Sequence, residues 1–505
     1  MGVEPAGTFC LVLHTHLPWV AHAGAWPVGE EWLHQAFTGS WRRVIRVLET
    51  LAEEGHREIV TLGVTPVVAA MLDDPYCLRQ MHTWAGFWRL RAEGLADRRE
   101  PWAAELAASE FRAAEDCLED LEGRWLTGGG SSVLRPLIDE RVVEYLGGPA
   151  AHPFQPLLPD RLVRFSLEAG LDDATLRLGS RPEGIWAPEC GYRPGLEQVY
   201  AQEGVRRFLV DGPSLHGDTS QAHPVADTDV VAFGRDLEVT YRVWSPKAGY
   251  PGGRWYRDFH HFDHPSGFKP SRVTSRSSDD KRPWEPEAAR SAAYADAEDF
   301  VSVVRRRLDE LRERDGRPGL VVAAYDTELF GHHWYEGPDW LAHVLRLLPE
   351  AGVRVTTLAG ALQEGHLGPA VELPAGSWGT GKDWRVWDGA QVSDLVSEGK
   401  RVVHRLFQVH EWLASRGGPS AGLSRSPALD QLASEALLHL SSDWAFMVTK
   451  DSAAAYARGR AETHAARFDR LADLLQTAHP TAAAAYAAGL AEVDRPFGHL
   501  DARRL

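Results

Sequence analysis

Four short apolar runs set the outline of this 505-residue chain. Phe9–Leu13 leads into His14-Thr15-His16, Gly184–Ala187 into Pro188-Glu189, Arg207–Val210 into Asp211, and Gly319–Tyr325 into Asp326. Each is too short for a helix and lacks polar alternation, so each predicts a strand buried on both faces, as in a parallel sheet covered by helices. Glu58–Val64, closed by Thr65-Pro66, and Val353–Leu358 add further strands, and Val230–Phe233 and Tyr241–Trp244 read as short ones. Between them apolar residues recur at helical spacing over Trp32–Ala52, Leu162–Ala169, Gly195–Glu203 and Phe300–Arg312. The alternation predicts a parallel α/β barrel of irregular strand count.

The remaining stretches are placed around that barrel. Leu78–Leu121, broken near Glu100-Pro101, predicts an inserted helical hairpin, and Ala390–Ala414, Pro427–Leu474 and the Ala-rich Thr481–Ala491 predict a helical C-terminal domain. Ser271–Glu298 is charged and poor in apolar residues, which predicts a mobile excursion; Ser415–Pro427, rich in Gly, Ser and Pro, separates the C-terminal helices. The glycines of Trp125–Pro136 lack the Lys-Ser/Thr pair or the G-x-G-x-x-G spacing of a nucleotide site. Four scattered cysteines without C-x-x-C spacing give neither a zinc site nor a disulfide framework. A formal charge of −17 repels nucleic acid and anionic membranes, so the expected partner is a neutral substrate. An N-terminal run broken by His14 and His16 predicts no signal peptide or membrane span, hence a cytoplasmic protein.

Polar residues at the C-terminal ends of parallel barrel strands share one face, where barrel active sites lie. His14 and His16 point to the same side by strand alternation, and are a metal pair, a hydrogen-bonding pair for a polar ligand, or structural. Glu189 stands at a strand end, and Asp326 and Glu328 share a side, either of them being a candidate chemical group. Two carboxylates on separate strand ends among many aromatics suit glycosidic bond chemistry, where one acid protonates the leaving oxygen and one carboxylate attacks or assists.

Motifs LHTHLPWV, GIWAPECGY, FLVDG, VVAFGRD, VWSPKAGYPG, AAYDTELFGHHWYEGP, SWG and SSDWAF occur in the order seen in glycoside hydrolase family 57, and the chain resembles its 1,4-α-glucan branching enzymes over nearly its whole length. The resemblance implies an irregular (β/α)7 barrel over residues 1–375 with a helical insertion at about 78–122, and a helical domain over 376–505 that completes the cleft. It implies a retaining mechanism without cofactor or metal, with Glu189 as nucleophile and Asp326 as general acid/base, the proton-bearing partner before cleavage. Donor and acceptor are then α-1,4-glucans. His14 and His16 become sugar-binding donors; Asp211, Asp443 and the indoles of Trp32, Trp255, Trp378 and Trp387 become candidate substrate contacts, the indoles being equally candidates for structure. Two departures stand out. The family's Thr-His-Gly ahead of Leu-Pro-Leu-Leu corresponds here to Ser131-Ser132-Val133, which leaves Ser132 in place of a subsite histidine. The loop Gly212–Thr228 is short and lacks the shielding tyrosine, which favours water as acceptor and keeps an α-glucan hydrolase, a 4-α-glucanotransferase and a weakened glucan-binding homologue in view. A metal-dependent deacetylase or amidohydrolase using His14 and His16 is the reading from another class.

Overall fold

The computed structural model describes residues 5–245, 247–275, 280–416, 423–477 and 480–505. Its strands are β1 (Gly7–Thr15), β2 (Val60–Val64), β3 (Val143–Gly147), β4 (Gly184–Ile185), β5 (Arg207–Asp211), β6 (His223–Pro224), β7 (Val231–Arg235), β8 (Gly319–Asp326) and β9 (Arg354–Thr356). Seven of them run parallel in the order β7-β5-β4-β3-β2-β1-β8. The ring is drawn together between β7 and β8 by the Asp236 N–H on the Val322 carbonyl at 2.9 Å, while the two-residue β6 lies antiparallel on the free edge of β7. The short β9 pairs with the first half of β1, whose second half pairs with β2.

Strand alternation sorts the core into two layers. Phe9, Leu11 and Leu13 of β1 face the surrounding helices, whereas Cys10 and Val12 join Leu146, Trp186, Leu209, Phe233, Val322 and Ala324 in a separate interior cluster. Continued by two residues, those interior rows end in His14 on β1, Asp211 on β5, Arg235 on β7 and Asp326 on β8, and the register sets His14 opposite Asp326. The polar groups at the mouth are thus extensions of the rows that fill the barrel. All four cysteines are buried and free.

The helical insertion forms two antiparallel helices, Pro75–Ala96 and Ala103–Asp120, with the break where Pro101 was read. Several elements differ from expectation. β3 was not anticipated, because Glu144 interrupts its apolar run; that carboxylate is turned inside, 2.5 Å from Arg207 Nε and accepting from Thr61 Oγ1. Tyr241–Trp244 is no strand, since Asp236 caps Val239 N–H and starts a helix over Leu237–Val243. The region Ser271–Glu298 is ordered where described: Ser271 bridges Pro283 and a 30-residue helix begins at Pro286, with 276–279 outside the described residues. The glycine run opens a helix, Leu126–Asp139, where Asp73 accepts from Ser131. The predicted helix over Trp32–Ala52 is interrupted by a π turn at Phe37–Trp41. Pro427–Leu474 is three helices, Pro427–His439, Ser442–Lys450 and Ala454–Gln476, and the separator before them has 417–422 outside the described residues. Among the described residues no helix is long and apolar enough to cross a membrane.

Glu144 and Arg207 are 7% and 10% exposed, and without Glu144 the buried guanidinium keeps only the longer contact to exposed Glu183 at 3.4 Å. Glu144→Ala is expected to lower the unfolding free energy by about 3 kcal/mol, the lower end for a broken buried pair, in urea titration with an unchanged m-value. A loss below about 1 kcal/mol would show that the pair is solvated.

Candidate active site

At the barrel mouth the rings of Trp186, His14, His152 and His16 form a column, with centroids 4.3 Å, 5.2 Å and 3.7 Å apart in that order and neighbouring planes within 25°. Burial, and the repulsion of a second charge in the column, holds His14 and His152 well below the usual imidazole range, so both are neutral. His16 is tied at both nitrogens, Nδ1 to Thr65 Oγ1 at 3.0 Å and Nε2 to Asp443 Oδ2 at 2.9 Å. His152 is the histidine that sequence reasoning missed. It follows β3 on a left-handed turn, Ala151 and His152 having φ of 61° and 53°, and its Nδ1 lies 2.9 Å from Ser442 Oγ. Ser132 was misassigned: it is exposed on the Leu126–Asp139 helix, donating to the Gly129 carbonyl. Ala151-His152-Pro153 ahead of Gln155-Pro156-Leu157-Leu158 was the signal that finds His152.

Glu189 sits after β4 with φ 62° and ψ 19°, and Cys190 follows at φ 49°. Non-glycine residues held there cost on the order of 1–3 kcal/mol each, and persist only where the surroundings over-determine them. The surroundings do so here: the Trp378 N–H donates to the Glu189 carbonyl at 2.9 Å, and the Tyr192 and Gly376 backbones bridge just beyond. The carboxylate is held at both oxygens, Oε1 by Ser442 Oγ at 2.8 Å and Oε2 by Trp378 Nε1 at 2.9 Å. Burial pushes Glu189 up to about 7, against the hydrogen bond from Trp378.

Asp326 closes the inward row of β8 and opens to solvent, and no described residue hydrogen-bonds its carboxyl. Protein packed around it on the other sides raises it to about 6, while His16 and Arg235 pull it down. Glu328, two residues on, is committed elsewhere. Its Oε1 accepts from the His16 N–H and from Trp41 Nε1, which the π turn aims inward, and burial followed by the Asp326 charge pushes it up to about 8. Of the two acids on this strand end, only Asp326 is free to meet a ligand. Sequence reasoning made Asp326 the more basic of the catalytic pair; instead both carboxyls of the free site are raised, Glu189 slightly more, and they titrate close together.

The other expected residues divide. Asp443, at the start of the Ser442–Lys450 helix, reaches the cluster; burial would raise it, but His16 outweighs that and holds it near 2. Trp378 reaches the site as a donor to Glu189. Asp211, read as a substrate contact, is 1% exposed between Arg235 Nε at 2.9 Å and Lys382 Nζ at 2.5 Å, so its oxygens face cations. Arg235 in turn lies 5.3 Å over the Trp378 ring. Trp387, read as a platform, is 2% exposed and stacked on Phe154 at 4.7 Å. Trp255 lies against the guanidinium groups of Arg254 and Arg272, and Trp32 is half-buried and edge-on to Tyr456. Sequence reasoning named neither Ser442, though it lies in the SSDWAF motif, nor Arg235 and Lys382.

His16, His152 and Asp443 bring donor atoms within 4.8 Å of one another, a set able to hold a metal ion. In the structure the set is closed by hydrogen bonds, the Asp443 carboxylate accepting from both His16 and Ser441. What stands beside it is a fixed carboxylate and an open carboxyl on separate strand ends, with neutral imidazoles between: a site for polar, uncharged ligands and for chemistry that needs one acid and one nucleophile.

Residues 10–258 match the model of glycosyl hydrolase family 57, and residues 404–504 match that of the 1,4-alpha-glucan branching enzyme C-terminal domain. The chain is 53% identical to a probable 1,4-alpha-glucan branching enzyme of Mycobacterium tuberculosis over 99% of its own length and 98% of the relative's. Among solved structures it superposes with a TM-score of 0.90 and 30% identity on a family 57 branching enzyme of Thermococcus kodakaraensis in complex with glucose and additives, covering 99% of this chain and 96% of that one. The branching enzyme of Pyrococcus horikoshii gives the same TM-score, identity and coverage. With a barrel of seven parallel strands, a carboxyl at the end of β8, a second just after β4 and a branching-type C-terminal domain, the chain belongs to glycosyl hydrolase family 57, within its branching-enzyme group.

Proposed function

We propose that this chain is a retaining 1,4-α-glucan branching enzyme, with Glu189 as nucleophile and Asp326 as general acid/base. The observation that carries the assignment is the contrast between the two carboxyls. Glu189 is fixed at both oxygens, as a nucleophile that must not rotate away requires, and Asp326 is unbonded and open, as a proton carrier to an incoming ligand requires. Glu189 attacks the anomeric carbon of an α-1,4-glucan; the C1–O bond breaks, and the Asp326 proton goes to the leaving oxygen. Ionised Asp326 then takes the proton of a glucan 6-hydroxyl, whose oxygen displaces Glu189 and forms the α-1,6 link. A sugar seated over Asp326 removes its water and raises it further, so the single proton of the pair settles there while Trp378 and Ser442 keep Glu189 anionic. The Asp443 carboxylate, held ionised through His16, faces the positive charge that develops at the anomeric centre. The C-terminal helices complete the cleft, since Ser442 and Asp443 come from them.

Incubation with amylose, read by proton NMR for α-1,6 anomeric signals and by a reducing-end count, is expected to show new branches without matching new ends. Reducing ends alone would make the protein a hydrolase, and neither product with retained glucan binding would make it a binding protein. Glu189→Gln is expected to reduce either activity by more than about 10³-fold.

The one-proton form of the pair is populated between about pH 6 and 7, so kcat/KM is expected to peak there. It falls at lower pH as both carboxyls protonate and at higher pH as both ionise. Ser442→Ala removes a donor to the Glu189 anion, which raises that carboxyl, lowers the maximum of kcat/KM and moves its alkaline limb up by about one unit, the equivalent of a hydrogen bond of about 1.4 kcal/mol. An unmoved alkaline limb would separate Glu189 from the pH profile.

Because hydrogen bonds already close the His16, His152 and Asp443 cluster, dialysis against a chelator is expected to leave activity unchanged. A loss reversed by added zinc would reassign the cluster to metal-dependent hydrolysis.

A further inference from the structure

Outside the cleft, a cavity of about 320 Å³ lies between Phe154–Pro159, the segment that follows His152, and the C-terminal helices Ser393–Arg416 and Ser442–Lys450. None of His14, Glu189 and Asp326 borders it. Its size falls in the range of small-molecule sites, which begins at about 300 Å³, and its walls have the composition of one. Leu157, Trp387, Val396, Val403, Phe407 and Trp444 make them apolar.

The polar groups along it are already bonded. Ser441 Oγ donates to Asp443 Oδ2 at 2.5 Å, Ser442 Oγ donates to Glu189 Oε1 at 2.8 Å, and His439 Nδ1 lies 3.0 Å from the Ala461 carbonyl. A sugar in this space buries hydroxyls that find no partner, whereas an alkyl chain gives up only its contact with water. The exposed members of the lining, Pro159, Lys400 and His404, mark the opening.

Charge gives the class of ligand. Among the described residues no acid borders the cavity, in a chain whose formal charge is −17. Lys400 and His404 stand one turn apart on the helix Ser393–Arg416, and the Arg161 guanidinium lies 4.6 Å over the Phe407 ring. Arg401 and Arg405 of the same helix are paired with Glu398, Asp469 and Asp473, whereas Lys400 has no ion-pair partner among the described residues. An apolar space with a cation at its opening is complementary to an amphipathic anion. We propose that it binds a medium-chain fatty carboxylate, with the tail among the apolar walls and the head at Lys400. Because Ser441 and Ser442 line the cavity, the occupant touches the two side chains that bond Asp443 and Glu189.

The test is a calorimetric titration of the full chain with dodecanoate, below its micellar range and without glucan. One site per chain is expected, about 10-fold weaker for decanoate, which has two fewer methylenes to bury. Lys400→Glu, an exposed change, is expected to weaken dodecanoate binding about 5-fold, and Val403→Trp, which fills the cavity, to abolish it. Dodecyltrimethylammonium, the same tail on a cation, is expected not to bind, and an excess of maltotriose is expected to leave the dodecanoate titration unchanged. Unspecific adsorption to a chain of charge −17 gives the reverse order of anion and cation. Absence of dodecanoate binding, a cation bound as tightly as the anion, or displacement by maltotriose would overturn the site. If Val403→Trp fails to fold, Lys400→Glu and the head-group comparison decide. Self-association in sedimentation velocity that Val403→Trp removes, with no dodecanoate bound, would give the cavity to a second copy of the chain instead.

Discussion

The active site depends on how one carboxylate is held. Glu189 stands on a left-handed turn that an L-residue avoids, and its two oxygens are bound by groups 189 and 253 positions further along the chain, Trp378 and Ser442. The backbone bonds around the turn and these two side-chain donors together over-determine it, as strain of this kind requires. The C-terminal helices are therefore part of the site. Their docking brings Ser442 to Glu189 and His152, and Asp443 to His16, in the same step.

The barrel supplies the other half of the arrangement through parity alone. Rows of alternate residues that fill its interior end at the mouth in His14, Asp211, Arg235 and Asp326. Of these, Asp211 and Arg235 neutralise each other, while His14 and Asp326 stand opposite one another in register. Asp211, shared by Arg235 and Lys382, fixes two cations near Trp378, and Arg235 on that indole links the β5–β7 side of the mouth to Glu189. Glu189, His16, His152 and Asp443 are each bonded to another polar group, whereas His14 Nδ1 and Trp186 Nε1 are buried without a partner among the described residues and the Asp326 carboxyl is open.

Much of this was legible in the sequence, and the reason is local. Unbroken apolar runs of parallel strands and the residues that follow them are neighbours in the chain, so Glu189, Asp326, His14 and His16 were found from their own surroundings, and the family motifs ordered them. What failed depends on partners far away. β3 was hidden by Glu144, whose charge is explained only by Arg207, and His152 beyond it was lost with the strand. The apolar alternation of Tyr241–Trp244 suggested a strand, but the Asp236 cap, reinforced by Arg307, decides for helix. Asp211 at a strand end looked like Asp326 at another; only the cations over it tell them apart. The indole of Trp387 was likewise indistinguishable in sequence from that of Trp378, although one is packed on Phe154 and the other bonds Glu189.

The account stands on Glu189 forming a covalent bond to the sugar. With Asp326→Ala, a fluorinated α-maltosyl fluoride needs no protonated leaving group to react but loses its glycosyl group slowly, so the intermediate accumulates. Proteolysis and mass spectrometry should then find one glycosyl ester, on the peptide that contains Glu189. An ester on Asp443 or Glu328, or release of a product of inverted configuration with no ester at all, would contradict it.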